Sequence, residues 1–129
     1  MEQKKKIPFS LRSRGKSFRY AFDGIKAFFK EEHNARIHLA ATIIVIILSI
    51  VLPATIIEII ALALSIGFVW VAEIFNTAIE KAMDFMSTES ASRIKVIKDL
   101  SAAAVLVAAT VALVIGLLIF IPKIIACIN

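Results

Sequence analysis

Three stretches of this chain, residues 39–57, 59–72 and 100–122, contain no charged side chain at all. Runs near or above about 18 residues are long enough to cross the hydrocarbon core of a bilayer. Composition points the same way. Of 129 residues, 60% are apolar and 19% charged, with a mean hydropathy of +0.89. Ordinary soluble domains are about 45–50% apolar and about 25% charged. A soluble globule, a secreted disulfide scaffold and a disordered tail are all excluded. The expected fold is an all-α integral membrane protein with three transmembrane helices.

The net charge of +5 invites a nucleic-acid reading, so its placement matters. Ten of the fifteen Lys and Arg residues lie between Lys4 and Arg36, four between Lys81 and Lys98, and the last is Lys123. Basic residues flanking spans mark the cytoplasmic side. The N-terminus and the 85–97 connection are then inside, with the Pro53 turn and the C-terminus outside. The basic surplus reads as a topology signal with attraction to anionic lipid, and no nucleic-acid partner is expected. The single Cys127 supports neither an internal disulfide nor a thiolate metal cluster. The first 36 residues hold no apolar core of about 7–15 residues, so the first span is expected to direct insertion itself.

Residues 1–14 are basic and carry Pro8, and mobility is expected there. From Gly15 to Glu32 a helical period emerges. Phe18, Phe22, Ile25 and Phe29 share one side, while Lys16, Arg19, Asp23, Lys26 and Lys30 share the other. A Phe-rich stripe backed by basic residues predicts an amphipathic helix, over 15–32, lying in the membrane interface. The first span is predicted over 34–52, ending at Pro53, which cannot continue a helix. The second is predicted over 56–85, ended by Ser87-Thr88-Glu89-Ser90, and the third over 92–121, closed by Pro122.

The second helix is the informative one. Its roughly 30 residues reach about 45 Å, more than the roughly 30 Å of a hydrocarbon core. Entering from outside near Ile56, it meets the cytoplasmic interface around Glu73 to Asn76. Glu73, Asn76, Glu80 and Asp84 stand at i, i+3, i+7 and i+11, within one stripe about 80° wide. A carboxylate facing lipid near mid-span costs about 3 kcal/mol, so such a row is expected to face a cavity or another helix. A plainer alternative is a row of helix-end carboxylates paired with Lys81, Arg93, Lys95 or Lys98. Glu31 and Glu32 before the first span, and Lys98 and Asp99 in the third, come to the same depth. Carboxylates with open water positions suit Mg²⁺ carried on substrate phosphates. A nearby lysine neutralises phosphate oxygens, and a deeper carboxylate can accept a hydroxyl proton. That inventory is what phosphoryl transfer onto a lipid headgroup requires.

Other features carry less. Gly15-Lys16-Ser17 mimics the end of a P-loop, but Ser10 stands where the earlier glycine belongs and no strand leads in. His33 and His38 are five apart, not the four that share a metal on one helical face, and read as interfacial hydrogen-bonding groups. Ala102, Ala103, Ala104, Ala108 and Ala109 favour close helix packing. Trp70 reads as a packing or near-interface aromatic.

The segment EIFNTAIEKAMD, from Glu73 to Asp84, resembles the signature of the small prokaryotic diacylglycerol kinase family. That signature is E-x-x-N-S/T-S/A-x-E-x-x-x-D, and every fixed position is matched. FFKEEHNARIH before the first span, KDLSAAAVLV at the start of the third and LLIFIPK near the end extend the resemblance over nearly the whole chain. It implies one membrane kinase domain over residues 1–129, assembled as a homotrimer in the bacterial cytoplasmic membrane, with ATP as co-substrate and Mg²⁺ as cofactor. Glu73 then matches the general base for the lipid hydroxyl, and Asn76 an essential polar residue of the site. Glu32 and Glu80 match the carboxylates that hold metal with nucleotide. Lys98 matches a phosphate-contacting lysine, Asp99 its nucleotide-side neighbour and Tyr20 an aromatic near the nucleotide, while Asp84 completes the signature. An N-terminal arginine of the diacylglycerol-using branch falls on Ser13, between Arg12 and Arg14.

The KEExNxxxH pattern and the FIPK ending are similar to the branch that phosphorylates undecaprenol. The other branch makes phosphatidic acid from diacylglycerol. Both acceptors offer one hydroxyl at the interface, and undecaprenol is the expected one. The reading from another class is an oligomeric channel or transporter with the acidic row lining an ion path. A pore needs polar groups through the bilayer, yet 59–72 offers only Ser65 and Gly67. The acids crowd one boundary, which favours the kinase.

Overall fold

The computed structural model describes residues 11–86 and 91–129, with side chains from Arg14 onward and from Ser92 onward. Residues 1–10, and the Ser87–Ser90 segment expected to end the second span, lie outside the described residues, as do the side chains of Arg12 and Ser13. Four helices follow in order: α1 over Leu11–Glu31, α2 over His33–Val51, α3 over Ile56–Phe85 and α4 over Ala91–Ile128. The chain divides into two compact units, residues 1–31 and 32–129.

The first unit is α1. Lys30 in its last turn suits the partial negative charge of a helix C-terminus. Phe28 and Phe29 pack edge to face, with ring centroids 5.6 Å apart at 69°. Gly15 and Gly24 each cost an exposed helix about 1 kcal/mol relative to alanine. A 21-residue helix with that handicap is marginal in water and needs a surface for its apolar stripe.

In the second unit, α2, α3 and α4 are each long and apolar enough to cross a membrane. The break between α1 and α2 falls at Glu32, an extended residue at φ −100°, ψ 120°. At the other end of α2 the chain reverses over Pro53 and Ala54, and the amide of Leu52 closes the last turn on Leu48 O. Thr55 then opens α3 with a capping box. Its amide donates to Glu58 Oε2 at 2.6 Å, and the Glu58 amide donates to Thr55 Oγ1 at 3.4 Å.

Helix α4 corrects one expectation. Pro122 does not close it; the helix runs on to Ile128. An interior proline forfeits one backbone bond, here to the carbonyl four residues earlier, and membrane helices accommodate that loss. The next residue anchors the continuing turn. Lys123 Nζ donates to Pro53 O at 3.0 Å and pairs with Glu58 at 3.1 Å, so α4 is tied to the α2–α3 turn.

Helix α3 packs more extensively against α4 than against α2. Leu52, Leu62 and Phe120 form the buried apolar cluster, flanked by Val45, Leu48, Ile115 and Ile119. Ile and Leu side chains are exposed along all three helices. Polar side chains are instead buried: Ser65, Glu73, Asn76, Thr77 and Ser101. An apolar cavity of about 480 Å³ lies between the three helices, bordered by His38, Thr42 and Trp70 and extending to Phe120 and Ile124.

Removing the Thr55 hydroxyl should cost about 1 kcal/mol, the usual worth of an N-cap. Thermal or denaturant unfolding of Thr55→Ala in detergent would measure it. Lys123→Met, which cuts both ties from α4 to the turn, is expected to lower the unfolding midpoint in the same assay.

Candidate functional site

The stripe predicted on α3 is present, and it climbs from core to surface along the helix. Glu73 is 2% exposed and is the largest fully buried side chain among the described residues; Asn76 is 8% exposed. Glu80 is half-buried, and the Asp84 side chain is 67% exposed. The geometry follows from helix period and length. One face of α3 points inward, and α3 outlasts its packing against α2 because α2 begins only at His33.

Three small constellations lie along this stripe. At the deepest point His38 Nε2, from α2, stands 2.7 Å from Glu73 Oε1. That oxygen has no aligned hydrogen bond among the described residues. Beside it Trp70 Nε1 donates to Thr42 Oγ1 at 3.2 Å, and Thr42 Oγ1 donates to His38 O at 2.7 Å. The second constellation joins α3 to α4. Ser101 Oγ lies 2.7 Å from Asn76 Oδ1 and 2.9 Å from Lys98 O, and Asn76 Nδ2 donates to Glu80 Oε1 at 3.3 Å. With Oδ1 engaged by the hydroxyl, the amide nitrogen of Asn76 is turned toward the carboxylate. In the third, Lys98 Nζ donates to Asp84 Oδ1 at 2.8 Å. An incoming phosphate would compete with Asp84 for that ammonium.

The remaining expected residues are placed differently. Asp99 pairs with Lys95 one turn back on α4 at 3.0 Å, both exposed, so its carboxylate is engaged along its own helix. Helix-end pairing thus describes Asp84 and Asp99, whereas Glu73 and Glu80 are held by uncharged or ring groups. Glu32 is half-buried and stands at the N-cap of α2, where its side chain makes no capping hydrogen bond. Tyr20 is exposed on α1, in the other unit. Among the described residues no three His, Cys, Asp or Glu side chains are gathered as a metal cage. The donor set nonetheless fits Mg²⁺ carried on phosphates, since that ion keeps water and phosphate ligands and takes only one or two protein carboxylates.

Sequence reasoning did not place His38 against Glu73 and did not single out Thr42 or Ser101. The signals were present. His38 and Glu73 are nearly equidistant from the 53–55 turn, and antiparallel helices bring such positions level. Ser101 is three residues after Lys98, on the same face of α4.

A stripe that runs from one buried carboxylate to the end of a helix, in a bundle of lipid-length helices, is a candidate site in a membrane protein. Residues 19–120 match the family described as prokaryotic diacylglycerol kinase. The chain is 39% identical over 108 residues to the undecaprenol kinase of Bacillus subtilis, covering 84% of this chain and 88% of that protein. It is 34% identical over 111 residues to a diacylglycerol kinase of a Synechocystis strain, covering 85% of this chain and 63% of that protein's length. No solved structure matches it. The chain belongs to the prokaryotic diacylglycerol kinase family, and it is a multi-pass membrane lipid kinase. That membership decides against the channel reading.

Ser101→Ala leaves Asn76 Oδ1 buried without that donor. A loss of about 1–3 kcal/mol is expected on detergent unfolding, with Ser101→Thr closer to the parent.

Proposed function

We propose that this protein transfers the γ-phosphoryl group of ATP to the hydroxyl of undecaprenol. The observation that carries the reading is the Glu73 carboxylate, buried where α2 and α3 meet, with Asn76, Glu80 and Lys98 following toward the helix end. A base withdrawn from water and approached through an apolar bundle suits a lipid alcohol better than a soluble one. The choice of undecaprenol is supported by the higher identity and fuller coverage of the undecaprenol kinase. Diacylglycerol is the second reading, favoured by the other relative.

In this mechanism Glu73 takes the proton of the acceptor hydroxyl as its oxygen attacks the γ-phosphorus. General-base assistance of this kind is worth about 10²–10⁴-fold. Lys98, released from Asp84, neutralises phosphate oxygens as a point charge. Asn76 and Glu80 orient the nucleotide end, with Asp99 beside Lys98 and Tyr20 near the nucleotide. Mg²⁺, held by Glu32 and Glu80 with the phosphates, would spread the charge that develops on them. Helix α1 lies in the interface, the N-terminus and the site face the cytoplasm, and the C-terminus lies outside, in keeping with the basic residues. The whole chain acts as one kinase domain, and three copies assemble as a homotrimer.

The test is detergent-solubilised protein with labelled ATP, offered undecaprenol and diacylglycerol in parallel. Undecaprenol should be labelled at the higher kcat/KM; diacylglycerol labelled faster would reverse the assignment. Glu73→Gln should lower kcat by about 100-fold or more, with the KM for ATP little changed. Lys98→Met should instead raise the KM for ATP by about tenfold, the worth of one charge-assisted bond.

A further inference from the structure

Glu73 carries a difficulty that the reaction alone does not resolve. Its Oε1 is buried away from water and lacks an aligned donor, a condition that costs a folded protein stability unless a partner meets it. The group in reach is the imidazole of His38, with Nε2 at 2.7 Å. Two lone pairs cannot face each other at that separation, which is the distance of a charge-assisted N–H···O bond. One of the two atoms therefore carries a proton, and with Glu73 ionised to act as the base that atom is Nε2.

The ring is itself held. It meets the Trp70 ring in a T-shaped arrangement, with centroids 6.4 Å apart at 70°. The Trp70 indole is fixed in turn by its bond to Thr42, one helical turn along α2 from His38. Trp70 and Glu73 are neighbours on one face of α3, as His38 and Thr42 are on α2. Two adjacent cross-links thus join the same pair of helices. The Trp70–Thr42 link sets the spacing, and the His38–Glu73 link sets the carboxylate.

We propose that His38 is a positioning residue for phosphoryl transfer: its Nε2–H holds Glu73 Oε1, and so assigns Oε2 to the acceptor hydroxyl. This inference rests on the reading of Glu73 as the base. The acceptor O–H gives its proton to Oε2 while its oxygen forms a bond to the γ-phosphorus. The bond between that phosphorus and the β–γ bridging oxygen breaks, and ADP leaves with the electron pair. His38 keeps its own proton throughout, and Glu73 loses the one it gained to water after the products depart.

The experiment is steady-state kinetics on the full-length protein in detergent micelles, with Trp70 fluorescence and gel filtration as checks of assembly. His38→Leu is expected to lower kcat by about 10–100-fold, the worth of a hydrogen bond to a charged group, with the KM for ATP unchanged. His38→Gln, whose amide N–H can reach the same oxygen, should recover most of that loss. A Gln variant no better than the Leu variant, or a Leu variant with parental kcat, overturns the proposal. A second readout does not depend on how the Leu variant folds. In protein with ¹⁵N-labelled histidine, the His38 Nε2 resonance should be that of a protonated nitrogen and should move in Glu73→Gln; an unprotonated or unmoved resonance overturns the assignment. Full turnover in Glu73→Gln would sink the reading of the base instead. An inactive Glu73→Gln beside a fully active His38→Leu would sink only the role of His38.

Discussion

A glutamate sealed inside a bundle whose exterior is apolar is the constraint around which the rest of this structure is arranged. Glu73 is 2% exposed, and its neighbours answer that burial with chemistry as well as bulk. His38 reaches across from α2, and Trp70 braces the imidazole and ties itself to Thr42. In hydrocarbon the helices gain little by hiding Ile and Leu from lipid, because lipid is equally apolar. Polar contacts and close packing must therefore specify which helix faces meet. Glu73 marks the face of α3 that turns inward.

The same helix carries a second fixed point at its other end. Thr55 and Glu58 cap α3 reciprocally, and Lys123 joins that cap to the end of α4 while also holding Pro53 O. This arrangement explains why a proline fails to stop α4: the turn beyond it is anchored from outside the helix. With α3 tied to α4 at both the 53–58 turn and the Asn76–Ser101 contact, the stripe between Glu73 and Asp84 sits on a rigid element. Catalytic groups carried on helices keep their spacing better than groups on loops.

Burial along the stripe sorts its members by environment. Glu73 lies deepest, Asn76 and Glu80 are linked at intermediate depth, and Asp84 reaches the surface with Lys98. The gradient runs from surroundings closed to water to surroundings open to it. One regular helix thereby presents graded surroundings along a single face.

Much of this was legible in the residues alone. Three uncharged runs dictate three spans because unpaired charge is costly in hydrocarbon, and the i, i+3, i+7, i+11 spacing dictates one stripe because the helix period is constant. The signature from Glu73 to Asp84 carries the family, since it depends on residue identity at fixed spacing and not on packing. Whether Pro122 ends a helix was not legible, because the anchor that carries α4 past it, Pro53 O with Glu58, lies in a distant part of the chain. Nor was the partner of each polar group. His38 looked like an interfacial histidine until α2 folded against α3, and the residues alone did not choose Lys95 as the base that Asp99 pairs with. Periodicity and composition are properties of a segment, so the sequence determines them directly. Which side chain meets which depends on how helices dock, and only the tertiary structure decided that.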